Sequence, residues 1–156
     1  MANPFDFSSG DVLTAANLNA IGDYEAFTPS WTNVTLGSGA TNAGFAAEIN
    51  ELVFFEIGLV LGSSSSIGGS ISFAVPVGTA ASTINPWGPI GTAICIDVTG
   101  GVYAQCLLTL VGQTVYMHAL LTSGTYGTRA LNVNATRPFT WADGDKIYLQ
   151  GMYRQT

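Results

Sequence analysis

The sequence predicts a mainly β fold: an antiparallel β-sandwich of the jelly-roll type, preceded by one short N-terminal helix. The first observation is that apolar and polar residues alternate in short runs from Trp31 onward. The second is that clusters of Gly, Ser, Asn and Pro separate these runs, which gives about eight strands at intervals of roughly 8 to 15 residues. An open barrel is the alternative architecture for the same pattern.

The N-terminal part, residues 1–25, is predicted to be a docking arm, separate from a β-sandwich domain at residues 26–156. Thr14 is a suitable N-cap, and Gly22 a suitable C′ residue, for a helix of about two turns. A helix this short is marginal by itself, so we expect it to dock outside its own subunit; folding back onto its own domain is the alternative. The apolar side chains expected to anchor the arm or to make oligomer contacts are Phe5, Phe7, Leu13, Leu18 and Ile21.

The first strands are predicted where helical spacing gives way to alternation. Residues 31–36 alternate as Trp-Thr-Asn-Val-Thr-Leu. Residues 45–61 are apolar on both faces in their middle, which favours one central strand packed on two sides. Residues 71–77 then place Ile, Phe, Val and Val at every second position, as in a half-buried strand.

The second half begins with a long loop at residues 78–89 and a hairpin whose turn is Gly100-Gly101. A two-residue turn there places Cys95 opposite Cys106, about 5.5 Å apart at their Cα atoms. We expect two neighbouring reduced thiols, because the protein folds in a reducing cytoplasm; a disulfide is the alternative. The strands of this half are predicted at residues 90–98, 102–111, 114–122, 130–136 and 146–154.

The low charge of the chain predicts that much of its surface is buried between subunits. Charged residues make up 9% of the sequence and hydrophobic residues 47%, whereas about a quarter of an ordinary soluble domain is charged. Large uncharged surfaces tend to associate. We therefore expect an obligate homo-oligomer.

The charge and the apolar pattern also argue against several partners. The net charge is −6, and the 4 basic residues are scattered along the sequence, so nucleic-acid binding is not expected. No apolar run approaches the roughly 20 residues of a membrane-spanning helix, and no basic region followed by an apolar block marks a secretory signal. The protein is expected to be made in a cytoplasm and to insert into no membrane.

An enzyme would have few groups from which to build its site. His118 is the single histidine, and its apolar strand indicates a core or interface position rather than a general base. The sequence contains no nucleophile elbow, phosphate loop or zinc-spacing motif. Asp143 and Asp145 lie in one polar turn, where capping of the local backbone is the favoured interpretation and a calcium site the alternative. We expect no catalytic residues, no cofactor and no metal site.

The N-terminal stretch resembles that of a known family. It contains Gly10-Asp-Val-Leu-Thr-Ala-Ala-Asn-Leu-Asn19 and runs into Phe27-Thr-Pro-Ser-Trp31. This arrangement is similar to the opening segment of structural proteins of tailed bacteriophages, especially fibre-like and appendage proteins. The similarity continues loosely to Arg137-Pro-Phe-Thr-Trp-Ala-Asp-Gly-Asp145 and Tyr153, which look like the last strand region of such domains.

The resemblance implies a trimeric tail-fibre or appendage protein of a virion, made in the host cytoplasm. Its arm would attach to other virion proteins, and its β domain would contact the host surface, where a glycan is the expected receptor. A capsid decoration (cement or head-fibre) protein that stabilises the shell is the alternative, and a glycan-cleaving tailspike is a third. The candidates for receptor contact are the loop aromatic residues Tyr103, Tyr126 and Trp87, although packing between subunits is favoured for Trp87.

Overall fold

The computed structural model of the chain describes residues 12, 14–15, 22–80, 88–122 and 128–155. These residues form antiparallel β-strands, which confirms the predicted mainly β class. The strands are β1 (Glu25–Phe27), β2 (Trp31–Thr35), β3 (Thr41–Ile49), β4 (Leu52–Val60), β5 (Ser66–Ala74), β6 (Pro89–Asp97), β7 (Val102–Val111), β8 (Thr114–Thr122), β9 (Thr128–Asn132) and β10 (Lys146–Arg154).

The strands share one hydrogen-bonded sheet, in the order β1-β3-β4-β10-β6-β7-β8-β5-β2, with β9 beside β8. The division into two sheets that a sandwich requires is therefore not confirmed. The C-terminal strand is the reason: β10 pairs with β4 along its whole length and with β6 on its other side, so it joins the two halves of the chain.

The sheet curls around a single core. The rings of Phe55 on β4 and Phe73 on β5 lie 5.9 Å apart at their centroids, although four other strands separate β4 from β5 in the sheet order. Near the two edges, Trp31 on β2 donates its indole N–H to the Asn42 side-chain oxygen on β3 at 2.8 Å. This curled sheet is closer to the open-barrel alternative than to two stacked sheets.

Alternation along the strands supplies the core. The inward residues of β4, β5, β8 and β10 are fully or almost fully buried, and each large one contributes about 1.5–3 kcal/mol of hydrophobic stabilisation. They include Val53, Phe55, Leu59, Ile71, Phe73, Val115, Met117 and Ile147. Tyr153 joins this core through its ring, and its hydroxyl donates to the Val77 carbonyl.

One predicted strand is in fact a hairpin. Residues 45–61 were expected to form a single central strand, but β3 ends at Ile49 and β4 begins at Leu52, and these two residues pair. Asn50 adopts a positive φ of 57° in the two-residue turn, which Asn tolerates better than most residues. Both apolar faces of the segment are real, but they belong to two neighbouring strands.

The register of the β6–β7 hairpin also differs from the expectation. Asp97 pairs with Val102, so the turn has four residues and Cys95 lies opposite Ala104 rather than opposite Cys106. The larger turn forms because the Asp97 carboxylate accepts a hydrogen bond from the Gly100 amide at 2.6 Å. The prediction was wrong by two residues.

The two cysteines are nevertheless neighbours, and both are free and buried. They occupy diagonal positions of the hairpin, with their sulfur atoms 3.5 Å apart. The hydrogen bond with Cys106 and burial raise the pKa of the Cys95 thiol far above its ordinary value. A thiol held protonated in this way is a poor nucleophile, which is consistent with a packing role.

The predicted helix from Thr14 to Gly22 falls almost wholly outside the described residues, and all ten elements that the described residues form are strands. In the described part of the chain, no helix is long and apolar enough to cross a membrane. The first described strand lies next to the predicted domain boundary, because β1 begins at Glu25 and pairs with β3. The sequence analysis missed β1, because three residues are too few to show alternation.

Candidate functional site

The outward side of β3, β4, β10 and β6, called here the outer face, is unusually apolar. Side chains alternate across a sheet, so a solvent-facing side normally carries polar residues. Here six large apolar residues of this face are between 39% and 51% exposed. They are Phe45, Ile49, Leu52, Ile94, Tyr148 and Met152. A contiguous exposed surface of this kind is typical of interaction sites.

A shallow groove of about 540 Å³ crosses the middle of the outer face. Its floor is Gly58, where an added Cβ would lie 3.4 Å from the Tyr148 ring, so the ring rests on the glycine. Phe45 and Ile94 form the apolar sides. The groove therefore presents an aromatic ring supported from below by the sheet.

Polar side chains run across the same groove in one row. Glu56 on β4 pairs with Gln150 on β10, which pairs in turn with Thr92 on β6. The row supplies a carboxylate, an amide and a hydroxyl, which together can donate and accept hydrogen bonds. The apolar groove thus has a polar centre that can orient a bound group.

A second hollow of about 290 Å³ lies beside the groove, on the side where the arm joins the domain. Tyr24, Phe54 and Met152 line it. An added Cβ on Gly22 would lie 3.2 Å from the Ile49 side chain. The chain therefore enters the domain against the apolar end of the outer face.

The opposite end of the sheet carries the β6–β7 turn, residues 97–103, called here the distal hairpin. Tyr103 is 72% exposed there, and Val98 and Val102 beside it are also exposed. In the cross-strand register, Tyr103 lies in a row with Ile96, Lys146, Val60 and Thr41. Thr41 and Ile49 are the two ends of β3, so the hairpin and the Ile49 side chain, beside which Gly22 lies, are about 26 Å apart along the strands.

A buried carboxylate holds the distal hairpin in place. Asp145 is 0% exposed; its oxygens accept hydrogen bonds from the Val98 amide at 3.0 Å and from the Ala142 amide at 2.7 Å. The bond to Ala142 confirms the capping role predicted for this turn. The hydrogen bond from the Val98 amide joins two residues that are distant in the sequence, and it fixes the hairpin that presents Tyr103.

His118 lies on the outward side of β8 but is buried, as expected for a core or interface histidine. Its Nε2 atom is 2.8 Å from the Thr109 hydroxyl. Burial lowers the pKa of His118 below its ordinary value of 6.5, while a hydrogen bond with Asn132 acts in the opposite direction. The neutral imidazole is the form that fits this site.

The other predicted site residues lie outside the described residues. They are the predicted anchoring residues Phe5, Phe7, Leu13, Leu18 and Ile21 and the receptor-contact candidates Trp87 and Tyr126. Among the side chains that are described, no group of three or more His, Cys, Asp or Glu residues could hold a metal ion.

Sequence reasoning missed the outer face. The sequence pattern places Phe45, Ile94, Tyr148 and Met152 in strands and does not distinguish them from other strand residues. The usable signal was that residues 45–61 are apolar on both faces and that Tyr148 and Met152 share the outward face of residues 146–154, so apolar side chains had to remain outside the core.

Comparison of this chain with family models, curated proteins and solved structures finds no match in any of the three. The functional argument therefore depends on the residues themselves and on the resemblance of the N-terminal segment.

Proposed function

We propose that the protein is a structural component of a tailed-phage virion: a trimeric tail-fibre or appendage protein without enzymatic activity. It is made in the host cytoplasm, attaches by its N-terminal arm to other virion proteins and displays the β domain to the host surface. In this proposal the displayed β domain is the curled sheet, where the resemblance implies a jelly-roll-like sandwich. The receptor is a surface glycan.

One observation carries this proposal: Gly22, where the chain enters the β domain, and the distal hairpin lie at opposite ends of the same sheet. The arm enters beside Ile49, whereas Tyr103 projects at the end defined by Thr41. An appendage needs one end for attachment and another for contact with the host. A protein that is anchored at one end and exposes a rigidly held aromatic side chain at the other meets this need. The Asp145 carboxylate supports this arrangement, because a rigid tip loses little conformational freedom when it binds.

Incorporation into particles tests the anchoring end. Deleting residues 1–21 keeps Gly22, Tyr24 and β1, so the β domain is expected to fold but to be absent from purified virions. Leu18→Asp is expected to act in the same way, because a carboxylate is costly in a dry interface, whereas Leu18→Met is its conservative control. Incorporation of the deletion variant at the wild-type level would contradict the anchor.

Copy number separates the proposal from the decoration alternative. A handful to a few dozen copies at the tail would support an appendage, whereas hundreds on the shell would support a capsid decoration protein. Incubation of the protein with host polysaccharide addresses the tailspike alternative, since a fall in polymer size would establish cleavage and contradict the non-enzymatic proposal.

A further inference from the structure

We propose that the outer face is the surface on which copies of this chain meet, so that its occupant is a second copy of the same chain. This inference rests on the proposed function, to which it adds the location of the subunit contact. It leaves the distal hairpin, at one end of the sheet, free for other partners, and it assigns no contact to residues 1–21.

The chemistry of the outer face supports burial. Ile94 and Tyr148 pair on the adjacent strands β6 and β10, and Phe45 lines the same groove from β3, beyond β4; each of the three is roughly half exposed. Exposure of such an apolar surface to water is unfavourable, and monomeric proteins rarely leave an apolar patch of this size uncovered. Glu56 and Gln150 at its centre supply the few hydrogen bonds that fix orientation in an interface.

The size of the outer face suits a stable contact. Its four strands each have nine residues, which gives a surface about 30 Å long and about 19 Å wide. The projected area is about 600 Å², before the relief of the side chains is added. A standard protein interface covers about 800 Å² on each partner. The face alone therefore approaches the area of one such contact, and in a trimer it is divided between the two neighbouring copies.

The charge of the outer face favours a second copy over a charged partner. Its outward charges are Glu56, Lys146 and Arg154, and Arg154 forms an exposed ion pair with Glu51 at 2.7 Å. With that pair included, the face is close to neutral, although the whole chain carries −6. Two copies can thus approach through this face with little repulsion, and Glu56 of one copy can meet Lys146 of the other. The nearly neutral outer face offers no electrostatic complementarity to a strongly acidic or strongly basic partner.

The test compares self-association of full-length variants by sedimentation. Tyr148→Lys and Ile94→Lys each place a charge in the centre of the face and are expected to raise the dissociation constant about 100-fold or more. Leu36→Lys is the matched control, since Leu36 is similarly exposed in the loop between β2 and β3. It is expected to associate like the wild type.

Gln150→Arg is included because the Tyr148→Lys and Ile94→Lys variants could lose self-association simply by misfolding. Gln150 is already polar and exposed, so the folded subunit tolerates a charge there while a dry contact does not. Dissociation of a Gln150→Arg variant with an unchanged circular dichroism spectrum would support the proposal. Variants of the face that associate as tightly as Leu36→Lys would overturn it and leave the oligomer standing. Isolation of the face bound to a different protein would also overturn the proposal and leave the oligomer standing, whereas a monomeric wild-type chain would overturn the oligomer of the proposed function as well.

Discussion

Among the loop residues that the structure describes, the buried Asp145 is expected to give the most destabilising mutation when its carboxylate is removed. Asp145→Ala leaves the Val98 and Ala142 amides without their acceptor. A hydrogen bond to a charged group contributes about 1.5–3 kcal/mol, so the two together give a loss of about 3–6 kcal/mol. That is a large part of the roughly 5–15 kcal/mol that holds a domain folded.

Urea denaturation at fixed protein concentration measures this loss. With an m-value of about 2 kcal/mol/M, the unfolding midpoint is expected to fall by about 1.5–3 M. Asp143→Ala is the matched control, because Asp143 is exposed in the same turn and its loss is expected to change stability by less than about 0.5 kcal/mol. Asp145→Asn keeps the shape and one acceptor oxygen, so it should fall between the two. Equal midpoints for Asp145→Ala and Asp143→Ala would refute the reasoning.

Two further predictions concern packing and pH. Gly91→Ala is expected to destabilise the fold by about 1–3 kcal/mol, because its Cβ would lie 2.2 Å from the Gln150 carbonyl oxygen on the neighbouring strand. Gly68→Ala, whose Cβ meets nothing within 4 Å, is the control, and a thermal midpoint for Gly91→Ala equal to that of this control would contradict the clash. The second prediction follows from the lowered pKa of His118: the unfolded chain binds its proton first, so stability present above about pH 6.5 is lost as the pH falls below that value. The urea midpoint of the wild type should therefore drop between pH 7.5 and 5.5 by more than that of His118→Gln, and parallel curves for the two proteins would show that His118 does not contribute.

Much of the strand content could be predicted from the sequence, because alternation and turn residues are local properties. Residues 114–122 and 146–154 were placed at the bounds of β8 and β10. What failed was pairing. Nothing within residues 146–154 indicates that this strand lies between β4 and β6, since that choice depends on contacts between distant parts of the chain.

Turn details explain the remaining errors in the fold. A single Asn50 in a left-handed conformation splits residues 45–61 into two strands. A single hydrogen bond, donated by the Gly100 amide to the Asp97 carboxylate, lengthens the turn of the β6–β7 hairpin. Cys95 is therefore paired two positions away from Cys106, its expected partner. In both places one residue decides the register, and a pattern averaged over ten residues does not detect it.

The candidate site was predicted only in part. The sequence analysis selected Tyr103 as an exposed tip residue, and it is the most exposed aromatic side chain of the described residues. It did not select Phe45, Ile94 or Tyr148, because strand residues that are apolar on both sides are usually assigned to a buried sheet. The curl of the sheet covers one of those sides and leaves the other exposed.

The mass of the intact chain in solution tests the central claim most directly. Sedimentation equilibrium at micromolar concentration is expected to give three times the 16.2 kDa of a single chain. A sample that stays at 16.2 kDa and remains well dispersed would mean that the apolar outer face needs no partner, and would contradict both the assembled state and the role assigned to that face.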